Sequence, residues 1–375
     1  MSGTRQQYVD IINTLGPGFR EHSAAHDREG SFVFDNYQEL KSRKLLSAGV
    51  PSELGGGGAS HGELCQVLRE LAHFCGSTAL ALSMHTHLVA TAVFRYKHGQ
   101  PGEALLRKVA AGELVLVSTG AGDWVDSVGQ AAAVPGGYKV TATKRFCSAA
   151  PVGNILVTSA PLVDRERNTT EVLHFPVSLS VPGVQISEDW DTLGMRATGS
   201  HSIELKDVFV PEEAISARRP GGQWHSLWNV VVTVAAPLFM APYVGIAERA
   251  AQVAEQAVAK RPVDAILLQS LGELENSLTM ARLAWRELVA ITDDYASMPT
   301  LNETNRSLIC KTLVANAARA TVAKAVELVG GSAFFRRLGL EQLLRDVQAA
   351  PFHPLPEKKQ LDFTGRVTLG LPPVA

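Results

Sequence analysis

The chain has 375 residues, 46% of them hydrophobic and 19% charged, a size above that of one ordinary domain and a composition that excludes disorder. Its 35 lysines and arginines nearly balance 37 aspartates and glutamates, so no field draws nucleic acid or an anionic membrane, and small molecules or further copies of the chain are the expected partners. Cys65, Cys75, Cys147 and Cys310 form no CxxC pair and the start Met-Ser-Gly-Thr-Arg lacks a leader pattern, which together predict a reducing cytoplasm and thiols that pack as small apolar groups.

From Tyr8 to about Gly112 apolar residues recur at helical spacing, as in Leu64, Val67, Leu68 and Leu71, then Leu80, Leu82, Val89 and Val93. Gly55 to Gly58 lacks the Lys-Ser/Thr that follows a phosphate cradle, and is read as a connecting loop. Between Leu114 and Pro211 β-branched and polar residues alternate and Pro-Gly turns recur, which predicts strands. The segment His201 to Val210 places Ile203 and Leu205 on one face, with a bulge at Lys206-Asp207 that restores the alternation at Val208 and Val210.

After Pro211 the pattern is helical again, in alanine-rich segments predicted over Ala241–Lys260, Leu267–Tyr295, Glu303–Val329 and Leu338–Ala350. Asn302 is placed to cap the third, and Gly330-Gly331 to end it. The longest apolar run, Asn229 to Pro242, is interrupted by two prolines and falls short of the roughly 20 residues that a bilayer span needs. The expected architecture is α+β: an N-terminal helical domain (1–113), a central antiparallel β domain (114–212) and a C-terminal four-helix bundle (213–375).

Three stretches, in this order, carry a resemblance. They are Gly137-Tyr-Lys-Val-Thr-Ala-Thr-Lys-Arg-Phe146, then Trp190-Asp-Thr-Leu-Gly-Met-Arg-Ala-Thr-Gly-Ser200 with Val208-Phe-Val-Pro211, and finally Val329-Gly-Gly331 with Leu344-Arg-Asp346. Together they resemble the acyl-CoA dehydrogenase superfamily of flavoproteins over essentially the whole chain. The dehydrogenases follow their Arg-Asp pair with Tyr-Glu-Gly-Thr, whose glutamate removes the substrate α-proton. Here that register reads His353-Pro354, and the family's second location for the base, at Ser226 to Val231, holds no carboxylate. Imidazole is poorly suited to strip a thioester α-carbon, so the departure points to oxygen chemistry.

The flavin monooxygenases of this superfamily, of the desulfurisation and hydroxyphenylacetate-hydroxylase types, carry a histidine eight residues after that arginine, the separation from Arg345 to His353. They place a serine after the Lys-x-Phe strand, matched by Ser148, and the desulfurisation type adds a histidine in an N-terminal helix, matched by His85 or His87, of which His85 is preferred. The resemblance makes His353, Ser148 and His85 the catalytic candidates. A reduced flavin that meets O2 forms a C4a-hydroperoxide, which survives where water is excluded, a hydroxyl accepts from N5 and an imidazole donates to the peroxide.

For cofactor binding the family register points to Ser118, Thr119, Phe146 and Ser148 around the ring. Arg196 and Thr198 lie near the phosphate region, although Arg196 serves equally well to lock its own loop through Asp189 or Asp191. Arg261, Gln269, Gly330 and Gly331 stand where dehydrogenases hold the pyrophosphate and adenine across a subunit interface. The family's glutamine before Gly-Gly is replaced two residues earlier by Glu327, repulsive to a pyrophosphate, so FMN is favoured slightly over FAD, which stays possible. His85-x-His87 has no third ligand at familiar spacing, so no metal is expected. Trp224, His225 and Trp228 either form an aromatic lid or simply pack.

The leading expectation is a two-component monooxygenase that takes reduced flavin from a separate reductase and uses O2 to oxygenate a small organic substrate, as a homotetramer. The alternatives are an FAD-dependent acyl-CoA dehydrogenase with a relocated base, for which Glu357 is the nearest carboxylate in sequence, and a flavin-binding scaffold without turnover.

Overall fold

The computed structural model describes residues 2–120, 123 and 125–374, with side chains from residue 7 onward. Five helices come first: α1 (Ser2–Glu29), α2 (Phe34–Ser42), α3 (His61–Ala72), α4 (Gly76–Lys97) and α5 (Glu103–Gly112). Helix α3 starts at a capping box in which Ser60 and Glu63 satisfy each other's backbone N–H, an arrangement that stabilises a helix by about 1 kcal/mol.

Eight strands form one twisted sheet: β1 (Leu116–Val117), β2 (Gln130–Val134), β3 (Gly137–Lys144), β4 (Ile155–Asp164), β5 (Thr169–Ser178), β6 (Val184–Ile186), β7 (Ile203–Pro211) and β8 (Ala217–Pro220). The order is β6-β7-β3-β2-β4-β5-β8, with β1 beside β4; β1 and β2 each pair with β4 in parallel and the other pairings are antiparallel. The expected bulge is present: the β3–β7 register shifts between Val140 and Ala142, where Asp207 takes φ 50° and exchanges hydrogen bonds with Thr141. Strand β8 lies beyond the boundary drawn at residue 212, because the chain makes one more antiparallel pass along the edge of β5 before it turns helical.

The remaining helices are α6 (Ser226–Val258), α7 (Ala265–Thr292), α8 (Leu301–Val329), α9 (Leu340–Asp346) and α10 (Glu357–Thr368). Helix α6 runs through Pro237 and Pro242, which the sequence reading took as breaks. A proline frees the carbonyl four residues earlier. That carbonyl, Thr233 O, accepts from Thr292 Oγ1 at 2.7 Å, while Val234 O pairs with His61 Nε2 at 2.8 Å and Pro237 O accepts from Trp285 Nε1 at 2.9 Å. Neighbouring side chains thus repair the ladder and tie α3 and α7 to α6.

The cap of α8 is Thr300, in a box with Glu303, rather than Asn302. The fourth predicted bundle helix is short, since Val347–Phe352 tightens into a 3-10 turn around Pro351, and Glu357 opens a further helix, α10. Helices α4 and α6 are long and apolar enough to cross a membrane by composition, but 83% and 94% of those windows are buried inside the protein. They are core helices, wrapped by α3, α7 and α8.

Candidate functional site

Two clusters meet where the sheet faces the helices. The first is built from turns of the β region. Strand β1 delivers Ser118, buried, and Thr119, half-buried; Gly120 N–H then donates to Arg145 O at 3.0 Å. This bond fastens the loop after β1 to the turn after β3. A Cβ on Gly120 would lie 2.9 Å from the Phe146 ring, so glycine is what lets the two turns touch. Phe146 sits at φ 59°, 62% exposed, edge-on to Trp190 at 6.1 Å.

Two residues on, buried Ser148 opens a hydroxyl chain. Its Oγ lies 2.8 Å from Ser200 Oγ, which lies 2.7 Å from Thr198 Oγ1, which donates to Met195 O at 3.0 Å. The structure therefore joins Ser148 and Thr198 through Ser200, a residue quoted in the sequence motif but given no role. Arg196 donates to Asp191 Oδ1 (2.9 Å), Thr192 O (2.7 Å) and Asp27 O (2.7 Å), which is the loop-locking alternative, with Asp191 as partner.

The same stretch is fixed to the C-terminal helices. Gly194 approaches so closely that a Cβ would meet Arg345 O at 2.2 Å, and Met195 N–H donates to Asp346 Oδ1 at 2.5 Å. Burial pushes the Asp346 carboxyl up to about 7 despite that bond. Arg345 clasps Asp27 with two bonds of 2.8 and 2.6 Å and donates to Leu193 O at 3.1 Å, the two-pronged geometry that suits a guanidinium and a carboxylate.

The second cluster lies among the helices. His353 is half-buried on the turn between α9 and α10, with Nε2 2.7 Å from Tyr243 Oη of α6 and its ring stacked on Phe239 at 4.9 Å. Burial, then Lys311 and His87, hold its imidazole down to about 3, so it is neutral near pH 7. Neither of the two side chains acting on it is a carboxylate. Burial also drives the Tyr243 phenol well above its ordinary range. His87 uses Nδ1 on Ser83 O at 3.3 Å, and burial holds it down to about 4.

His85 belongs to neither cluster as a reacting group. It is 1% exposed, its Nε2 donates to Leu46 O at 2.8 Å, and its Nδ1 accepts from Leu116 N–H at 2.9 Å. Both ring nitrogens are spent on backbone, and His85 works as a strut that places β1 two residues before Ser118. The histidine of α4 that acts on His353 is His87.

The residues expected to hold an adenosine half stand elsewhere. Arg261 donates to Leu328 O (2.8 Å) and Val329 O (2.6 Å), the last carbonyls of α8, and Gly330 ends that helix at φ 72°. Arg261, Gly330 and the adjoining Gly331 thus form one helix terminus, with the guanidinium fork occupied by carbonyls. Gln269 is exposed on the first turns of α7. Of the suggested lid, Trp224 packs on Phe363 at 4.7 Å and donates to Asn229, while buried Trp228 lies against His174 and under Arg219; these rings pack. Among the described residues no group of three His, Cys, Asp or Glu is placed to hold a metal ion.

Sequence reasoning missed Tyr243, Phe239 and Lys311. The last had a signal: Lys311 interrupts the apolar face that Leu308, Val314 and Ala315 define on α8.

An exposed aromatic ring beside a buried row of hydroxyls, at the seam between a sheet and a bundle, fits a flat, amide-edged ring system. The fold and this seam define a flavin oxidoreductase of the acyl-CoA dehydrogenase architecture. Residues 18–113 match the family model "Acyl-CoA dehydrogenase, N-terminal domain" and residues 232–353 match "Acyl-CoA dehydrogenase, C-terminal domain"; the chain belongs to the acyl-CoA dehydrogenase family. It is 27% identical to the amino sugar nitrososynthase DnmZ of Streptomyces peucetius over 97% of this chain and 93% of that one. It is 24% identical to a dibenzothiophene monooxygenase of Mycolicibacterium goodii over 92% and 89%. The solved structure of KijD3 in complex with FMN and dTDP-3-amino-2,3,6-trideoxy-4-keto-3-methyl-D-glucose superposes with a TM-score of 0.89 at 27% identity, covering 99% of this chain and 95% of that one.

Proposed function

We propose that this protein is the oxygenase half of a two-component flavin monooxygenase. Reduced flavin, FMN in preference to FAD, arrives from a separate reductase and supplies the electrons that activate O2. The observation that carries the reading is the His353 cluster, a neutral imidazole backed by Tyr243 and Phe239, at the register where the resemblance puts the dehydrogenase glutamate. The names of the nitrososynthase and monooxygenase relatives and the FMN of KijD3 support it.

The chain's own residues divide the work. Ser118, Thr119 and Phe146 line the ring site. Ser148, at the head of the Ser200–Thr198 chain, would accept a hydrogen bond from a ring N–H, and the chain's other hydroxyls fix the direction of its lone pair. His353 holds a proton near the oxygen that is transferred, while the apolar walls of α4 and α6 exclude water. Arg196 keeps the stretch after Asp191 in place, and Thr198 is its link to Ser148.

A homotetramer accompanies the reading, as the family resemblance implies, although Arg261 here holds the end of α8 and not a phosphate. Four free, buried cysteines suit a reducing cytoplasm. The substrate is a small organic molecule oxygenated at nitrogen, sulfur or carbon.

The test is to mix the purified chain and chemically reduced FMN with oxygenated buffer in a stopped-flow instrument. A flavin absorbance band on the blue side of the oxidised spectrum, persisting longer than in free solution, supports oxygenation; supplying a dTDP-amino sugar or dibenzothiophene then reads the substrate class by product mass. Co-purified FAD that bleaches on addition of an acyl-CoA would replace this reading with dehydrogenation, and absence of any flavin affinity would replace it with a scaffold.

A further inference from the structure

Helix α8 buries a lysine where its pattern calls for an apolar residue. Lys311 is 1% exposed, and its Nζ donates to Leu355 O at 2.8 Å and, by a longer and weaker bond, to Pro351 O at 3.5 Å. Those two carbonyls lie two residues on either side of His353. Among the described residues no carboxylate pairs with the ammonium; the acidic influence on it is Glu357, at the start of α10. The contrast with the other buried lysine is informative, because Lys144 is paired with Asp123 at 2.6 Å and saturated by two further carbonyls. Burying an ammonium without a counter-charge is costly, and a methionine at this position would pack at no such cost.

We propose that Lys311 is a positioning residue for the oxygenation reaction: it clamps the turn that carries His353 and adds to burial in keeping the imidazole neutral. This rests on the monooxygenase reading for its catalytic meaning, but not for its test. The two side chains that act on His353 directly, Lys311 and His87, both disfavour its protonation, and each neighbouring element contributes a group. Helix α8 brings Lys311 and α4 brings His87; α6 brings Tyr243, whose phenol stays protonated; α9 contributes Asp346 toward Tyr243, and α10 contributes Glu357 toward Lys311. A fixed positive charge beside an imidazole disfavours a second one. The imidazole thereby keeps a lone pair free near neutral pH, while Tyr243 fixes its plane.

The experiment follows the histidine ring signals of the full-length chain by NMR as pH is lowered, with H353N assigning the resonance. In K311M, and in the neutral but hydrogen-bonding K311Q, the His353 midpoint should rise by about one pH unit or more toward the ordinary 6.5. K311R keeps the charge and should hold it within about half a unit of the parent. The acid limb of the oxygenation profile should move with it, with KM unchanged and kcat lowered at acid pH. A His353 midpoint that is the same in the parent, K311M and K311Q overturns the proposal, and so does a shift in K311R as large as that in K311M. If the titration shifts as expected while no oxygenation is seen with any flavin, the reading of function fails and the role of Lys311 stands. Should K311M not fold, K311Q against K311R gives the same decision.

Discussion

His85 and His353 were drawn from the sequence as partners, yet their surroundings in the protein have opposite logic. His85 is enclosed between Leu46 and Leu116, with a backbone group on each ring nitrogen. His353 has one nitrogen on a phenol, an aromatic ring beneath it, and the Lys311 ammonium and a second imidazole, His87, near it. The first arrangement uses up hydrogen-bonding capacity and the second preserves it. A buried imidazole is therefore structural or chemical according to how many of its lone pairs and protons the backbone consumes, and burial alone does not decide.

The sharpest way to break this contrast is to remove each ring in turn. H353N should lower product formed per reduced flavin by about 100-fold, the size expected for loss of a positioned proton donor or acceptor, with little change in the urea midpoint; single-turnover product analysis checks it. H85A should do the reverse. Leaving Leu46 O and Leu116 N–H unpaired costs about 2–4 kcal/mol of stability, read by urea denaturation, with activity per folded molecule within about threefold of the parent. A variant of His85 that folds normally yet fails to oxygenate would erase the distinction.

Smaller effects refine it. S148A takes one hydroxyl from the Ser148–Ser200–Thr198 chain and should cost about tenfold in oxygenation, equivalent to one hydrogen bond, with the loss appearing in flavin-band lifetime.

The pH dependence of stability is the gentlest probe. His61, His85 and His87 are held down to about 4, and His174 and His353 to about 3, all chiefly by burial. In the unfolded chain they titrate near 6.5, so the unfolded state takes up protons first. Stability is then fully present above about pH 6.5 and declines as pH falls toward 4 and 3. Asp346 works in the opposite sense: with its folded value near 7, its cost is greatest above that pH and is relieved as pH falls toward 4. Melting temperatures between pH 8 and 4 should fall, and fall less steeply in H85A, which lacks one of these histidines.

Much of the fold was legible because it rests on period and punctuation. The order helices, sheet, helices follows from a 3.6-residue period giving way to alternation at Leu114 and returning later, and even the bulge at Asp207 shows as a break in that alternation. What misled was local chemistry with tertiary compensation. Pro237 and Pro242 are helix breakers in isolation, and Thr292, reaching from α7, takes up the carbonyl that Pro237 frees in the uninterrupted α6. Asn302 is a good cap, but Thr300 has Glu303 at the spacing of a reciprocal box.

The site divides in the same way. The turn residues Ser118, Phe146, Ser148 and Thr198 were chosen by register, and they lie on adjoining turns because motif spacing fixes their place along the strands. Which of His85 and His87 faces the bundle seam depends on how α4 is rotated against the loop at Leu46 and against β1, and no periodicity in an almost wholly buried helix records that rotation. Arg261 was legible as a residue type and misread as to partner, since a guanidinium suits the end of α8 as well as it suits a phosphate.

Asp27 has a consequence of its own. Its carboxylate holds Arg345 and its carbonyl holds Arg196, so one residue at the far end of the first helix ties together the sheet-side loop and the segment leading to His353. Shortening or re-engineering that helix would slacken both halves of the seam at once, and the opening thirty residues should be treated as part of the catalytic apparatus when this protein is trimmed, fused or immobilised.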